Sequence, residues 1–210
     1  MQGVTFIELI VVIGIFGIIA GIILFKYGDF TQNINLQNLT HTIALQVKKA
    51  QIAGSSGKFD QSFTGNPSIS PSIYKPTYGI YFEQGTGSTP ASFTYFVDKP
   101  GVGPTYLNDF YFDAGTEVLD TIAFQNGFTI AAICYNNPGG GISAPGCGYS
   151  SVALTFTRPD LSASFSIPGN SAYPTVAPST IDDIEIFITG PGGLSPKKLI
   201  IYRSGAMTVQ

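Results

Sequence analysis

Hydrophobic positions along this chain follow three patterns in succession. From Val4 to Phe25 the sequence reads VTFIELIVVIGIFGIIAGIILF, with Glu8 as its one charge. Seventeen uncharged, mostly apolar residues separate Glu8 from Lys26. With Val4 to Ile7 the block approaches the ~20 residues that cross about 30 Å of hydrocarbon. A cleaved secretory signal has a basic start and a shorter core, whereas only Met1-Gln2-Gly3 precede this block, so a membrane helix is predicted. Beyond Lys26 the pattern narrows to a stripe. Leu36, Leu39, Ile43, Val47 and Ala50 recur every three or four residues, as one face of a helix does, while Gln32, Asn33, Gln37, Gln46, Lys48 and Lys49 supply the other face. Gly54 and Gly57 are stop signals. A helix from about Val4 to Ala53 would run roughly 75 Å, and a membrane takes less than half of that. The remaining stripe needs a folded domain to bury it.

The third pattern is short alternating runs between turn signals. Ser55 to Thr77 is rich in Ser, Gly and Pro and is predicted to be a loop. Strands are then predicted at Tyr78–Phe82, Ser92–Val97, Asp109–Asp113, Val118–Phe124, Thr129–Cys134, Ser151–Thr157, Ala163–Ile167, Ile181–Thr189 and Leu199–Tyr202. Asn126-Gly127 between two of them reads as a tight hairpin turn. So many short strands imply a β-sandwich or two packed sheets. The predicted class is α+β: a long N-terminal helix, transmembrane then amphipathic, packed on a C-terminal antiparallel β-rich head. The segments are 1–3, 4–25, 26–54, 55–77 as linker and 78–210 as head.

Composition changes the picture in one respect. Only 11% of residues are charged and the net charge is −3, with ten Lys and Arg in all, a poor match to a phosphate backbone, so nucleic acid is not an expected partner. The orientation rule based on flanking positive charge does not decide which side of the membrane the head occupies.

Glu8 is the anomaly. A carboxylate at the bilayer centre costs roughly 2.5–3.5 kcal/mol on insertion scales, so it needs a partner or a task. The nearest candidate partner is an α-amino group, of this chain or of a neighbour. Here a resemblance enters. Gly3-Val4-Thr5-Phe6-Ile7-Glu8-Leu9-Ile10-Val11-Val12 resembles the class III signal of type IV pilins and type II secretion pseudopilins. The resemblance implies that a prepilin peptidase cuts after Gly3 and methylates the new N-terminus at Val4. Glu8 then occupies the fifth mature position, where the family's Glu neutralises the N-terminal amine of its own or an adjacent subunit. It also implies a pilin-like fold, an extracytoplasmic head on a single-pass inner-membrane helix, and partners that are other pilin or pseudopilin subunits in a filament of a pilus or of a secretion system. The chain departs from the family pattern in its uncharged Met1-Gln2-Gly3 leader, in Val at the first mature position and in the lack of a helix-breaking Pro. Further on, Val152-Ala153-Leu154-Thr155-Phe156-Thr157-Arg158-Pro159-Asp160 and Lys197-Lys198-Leu199-Ile200-Ile201-Tyr202-Arg203-Ser204-Gly205 resemble the GspH/FimT-like minor subunits, whose final hairpin turns at a Ser-Gly corner. Many of those relatives have Arg after that Gly. Ala206-Met207 stand here instead.

Other candidate chemistry is sparse. Cys134 and Cys147 flank a turn-rich loop; outside the cytoplasm a disulfide there would contribute about 3 kcal/mol, and two free thiols are the alternative. Gly17-xxx-Gly21 permits close helix packing. Pro138-Gly139-Gly140-Gly141 lacks the Lys of a P-loop, and Asn38-Leu39-Thr40 is a sequon inside a predicted helix. Asp182-Asp183 and Asp98 with Asp113 offer carboxylates without a calcium-loop spacing, so no metal is expected. His41 has no nucleophile at a recognised spacing. The chain therefore reads as a structural part without a cofactor, not an enzyme. The rival reading is a surface-binding tip subunit, adhesive or DNA-capturing, drawing on the aromatic runs Tyr78–Phe82 and Tyr95–Phe112.

Overall fold

A computed structural model describes residues 5–57, 76–86, 90–98, 110, 112–115, 117–136, 146–159, 161–167, 181–191 and 195–210. One helix, α1 (Phe6–Ser56, 51 residues), leads the chain and is about 77 Å long. It starts at a capping box. Thr5 accepts from the Glu8 amide, and the Glu8 carboxylate accepts from the Thr5 amide, so two of the helix's orphan donors are satisfied reciprocally. No Pro interrupts the helix, which ends where Gly57 adopts a left-handed conformation and its N–H closes on the Ala53 carbonyl. Of the two expected stop signals, Gly54 lies inside the helix and Gly57 ends it, a turn beyond the expected end near Ala53, because Gly57 takes the left-handed cap. Phe6–Leu24 forms a 19-residue stretch long and apolar enough to cross a membrane, and it is not buried against the other described residues.

Among the described residues the head consists of two five-stranded antiparallel sheets. Its strands are β1 (Thr77–Glu83), β2 (Ser92–Asp98), β3 (Val118–Ala123), β4 (Thr129–Asn136), β5 (Gly146–Cys147), β6 (Ser151–Phe156), β7 (Ala163–Ser166), β8 (Asp183–Thr189), β9 (Lys197–Tyr202) and β10 (Met207–Val209). The first sheet runs β3-β2-β1-β6-β7 and the second β10-β9-β8-β4-β5. One face of the first sheet aligns Tyr78, Ile80 and Phe82 with Val97, Tyr95 and Phe93 on one side and with Phe156, Leu154 and Val152 on the other. These residues share a single core with the buried stripe of α1 and with Ile133, Ile184, Ile186, Leu199 and Ile201 of the second sheet. The opposite face of the first sheet is covered in part by Phe112, stacked on Tyr81 at 4.5 Å and tilted against Phe96 at 5.1 Å. That explains why β1, β2 and β6 are nearly continuous in their burial while β8 alternates strictly. Hydrogen bonds stitch the sheets together at their margins: Ala163 N–H to the Arg203 carbonyl at 2.7 Å, and Gln84 Nε2 to the carbonyls of Ile130 at 2.9 Å and Ala131 at 3.2 Å.

Three sequence expectations need correction. Asn126-Gly127 is a turn, with both φ angles positive and Phe128 N–H closing on the Gln125 carbonyl, yet it makes no hairpin. The strands before and after it belong to different sheets, and Phe124 and Phe128 on its flanks drop into the core between them. Of the expected strand Asp109–Asp113, the described residues Phe110, Phe112 and Asp113 are not in a strand; Phe110 has φ of 62°. Strands β5 and β10 are too short to carry a readable alternation and were not anticipated. Most of the expected linker, 58–75, lies outside the described residues.

Candidate assembly surface

The amphipathic half of α1 presents two apolar faces. Leu36, Ile43, Val47 and Ala50 are fully buried in the head, with Thr40 and Gly54 on the same side and Leu39 packed at its margin. Burial of Leu36, Ile43 and Val47 contributes about 1.5–3 kcal/mol each relative to exposure. Gly54 is required by close approach, since a Cβ there would run into the Phe156 backbone carbonyl. On the opposite side Tyr27, Phe30, Ile34, Leu45 and Ile52 face outward, with Leu45 72% and Ile52 65% exposed. At about 100° per residue these five fall on one stripe, roughly opposite the buried one. The sequence reading assigned that side to polar residues and missed them, although their spacings of three, four, eleven and seven follow the helical period.

Polar contacts fix where the head sits on the helix. Lys48 Nζ donates to the Gly205 carbonyl at 3.1 Å and to Gln51 Oε1 at 2.8 Å; Gln51 Nε2 donates to the Leu161 carbonyl at 3.0 Å. Lys49 Nζ stands 4.5 Å above the Tyr95 ring. Gly205 has φ of 76° in the turn between β9 and β10, and a Cβ on it would collide with the Gln51 amide. The Ser204-Gly205 corner singled out in the sequence is therefore a docking point for α1.

Glu8 projects from the exposed first turn of α1, with Oε2 3.1 Å from the Thr5 amide nitrogen and 3.0 Å from Thr5 Oγ1. Its negative charge also suits the positive end of the helix dipole. Gly3 and Val4, the expected processing residues, lie outside the described residues. Gly14, Gly17 and Gly21 leave open grooves in the apolar stretch.

Cys134 and Cys147 form a disulfide that joins β4 to β5 as a directly opposed pair. It holds Tyr149 beside Tyr135, ring centres 5.4 Å apart; burial and the neighbouring phenol push the Tyr149 pKa up. The carboxylates do not assemble into a metal site. Asp98 is buried and accepts from the Phe110 amide, while Asp113 is exposed and donates its own amide to buried Glu117. Asp182 and Asp183 enter β8, where burial first and the Glu185 charge second raise the Asp183 pKa. Among the described residues no three His, Cys, Asp or Glu converge as a metal site requires. His41 lies exposed on the helix. The aromatic runs are largely spent on packing: Tyr78, Phe82, Tyr95 and Phe96 are buried, and burial raises the pKa of Tyr81 beneath Phe112.

Comparison of the chain with protein families, with curated proteins and with solved structures finds no match.

Proposed function

We propose that the chain is a pilin-like structural subunit of a type IV pilus or a type II secretion pseudopilus. The observation that carries this reading is the outward apolar stripe of α1, which runs from the membrane-length stretch through Tyr27, Phe30 and Ile34 and resumes past Asn38 and His41 at Leu45 and Ile52 alongside the head; its residues stay largely exposed beside the other described residues. In water such a face is a cost, and burial against neighbouring helices returns about 25 cal/mol per Å². In the proposed mechanism the apolar stretch holds the precursor in the inner membrane with the head outside the cytoplasm. Cleavage after Gly3 frees the amine of Val4, next to the Thr5–Glu8 capping box. Glu8 then exchanges its contact with Thr5 for an N-terminal amine inside the helical assembly, where opposite charges offset each other's desolvation. Packing of the apolar face supplies cohesion and the charge pair supplies registry.

The test is the N-terminal mass of the protein taken from its native membrane. A chain beginning at Val4, methylated on its amine, is the expected result. Retention of Met1-Gln2-Gly3 in cells with an active prepilin peptidase would leave a plain membrane-anchored head domain as the better account.

A further inference from the structure

Two features of α1 match at one spacing. Tyr27, Phe30 and Ile34 stand outward, 67%, 64% and 40% exposed. Gly14, Gly17 and Gly21 repeat the same three-then-four spacing inside the apolar stretch, and a Cβ added at any of them meets nothing within 4 Å. The bulky set is the glycine set shifted by thirteen positions: 14 to 27, 17 to 30 and 21 to 34. The shift places the glycine groove about 140° around the helix axis from the bulky stripe.

The bulky stripe is too small to hold a partner alone. Two aromatic rings and one Ile at these exposures offer about 300 Å², against ~800 Å² per partner in a stable interface. A lasting partner must also run along the apolar stretch below. It must therefore be a long apolar helix, with a surface that admits bulky side chains. The chain itself carries that surface.

We infer that the Tyr27–Phe30–Ile34 stripe of one copy seats on the Gly14–Gly17–Gly21 groove of a second, parallel copy raised by thirteen residues, about 20 Å. This rests on reading the chain as a filament subunit and adds the register at which its helices meet. Absent side chains in the groove let the two backbones approach closely. Stripe and groove lie on different sides of one helix, so the contact is head-to-tail. Each copy keeps one free stripe and one free groove, and the contact propagates as an open filament instead of closing into a two-fold dimer. The stagger also lifts part of the upper copy's apolar stretch out of the bilayer, and the lower copy's stripe covers what has been lifted.

Cysteine pairs in the full chain test the register. Neither Gly17 nor Phe30 packs against the head, so the fold is not at stake. Cys134 and Cys147 are already paired with each other. Native membranes containing the double variant Gly17→Cys, Phe30→Cys should give, on mild oxidation, a ladder of multimers that collapses under reductant. The double variant Gly14→Cys, Ile34→Cys uses the same two sides of the helix at a different stagger and should give none. A ladder from the second pair alone overturns the thirteen-residue register and leaves assembly through α1 intact. Equal ladders from both pairs reflect random collision and also overturn it. Absence of any ladder in membranes where the wild-type chain forms filaments overturns the register alone; absence of filaments from wild-type chain with its full assembly machinery overturns the subunit reading beneath it.

Discussion

Lys48 on α1 donates its ammonium proton to the carbonyl of Gly205, 157 residues further along the chain, at 3.1 Å. This contact and its neighbour, Gln51 to Leu161, tie the helix to the turn between β9 and β10 and to the segment leading into β7. Gly205→Ala should break the arrangement twice, by placing a side chain at positive φ and by driving its Cβ into Gln51. The expected loss is about 1–3 kcal/mol, read as a lower midpoint in thermal unfolding of the detergent-solubilised chain. An unchanged midpoint would mean that the turn and the helix are not coupled.

Gly54→Ala sets propensity against packing. Ala is favoured over Gly inside an exposed helix by about 1 kcal/mol. Here its methyl group would meet the Phe156 carbonyl oxygen, so the helix and β6 must separate. The variant should be destabilised by about 1–3 kcal/mol, whereas Gly28→Ala, which meets nothing within 4 Å, should be neutral or slightly stabilising. Unfolding midpoints measured side by side separate the two cases; a gain at both positions would refute the close contact.

The disulfide closes a loop whose ends are 13 residues apart and pins a two-residue strand. Cys134→Ser with Cys147→Ser should lower stability by about 2–4 kcal/mol. Hydrogen exchange should accelerate first at Gly148 and Tyr149, whose amides both close on the Ile133 carbonyl. Uniform acceleration across the whole second sheet would contradict a local role.

Asp183 gives a pH-dependent prediction. Burial and the nearby Glu185 charge raise its folded pKa, with Asn136 and Lys198 opposing, and Oδ1 is buried without a hydrogen-bond partner among the described residues. A folded pKa above the unfolded one means that the fold prefers the protonated acid. That preference is fully present below the ordinary Asp value of about 3.9, and it is lost as pH rises through the folded pKa. At neutral pH the ionised group therefore opposes folding. Asp183→Asn should raise the unfolding midpoint at pH 7 and lose that advantage toward pH 3. A variant less stable than wild type at pH 7 would show that the carboxylate is needed as an acceptor.

The α+β architecture was legible because its signals are local. An unbroken apolar run, a three-to-four stripe and short alternating strands are set by the pitch of one element, and Leu36, Ile43, Val47 and Ala50 are buried as that stripe requires. Topology was less legible. Asn126-Gly127 announces a turn, but nothing in two residues says whether the next strand stays in the same sheet. The second stripe on α1 was obscured by polar neighbours. Between Ile34 and Leu45 the same side carries Asn38 and His41, so the apolar spacing stretches to eleven residues and shows only once the head has claimed the other side.

That outward stripe gives a prediction in which stability and assembly part company. Leu45 and Ile52 are well exposed and touch no part of the core. Leu45→Glu and Ile52→Glu should change head stability by no more than about 0.5 kcal/mol, as surface substitutions do. In a filament the same carboxylates would be buried against a neighbouring helix without a partner, at a cost of several kcal/mol per ion. Assembly measured by sedimentation of sheared material should fall below detection for the double variant, while its thermal midpoint stays at the wild-type value. Filaments of normal yield from that variant would show that the face remains in water, and the assembly surface would have to be sought on the head instead.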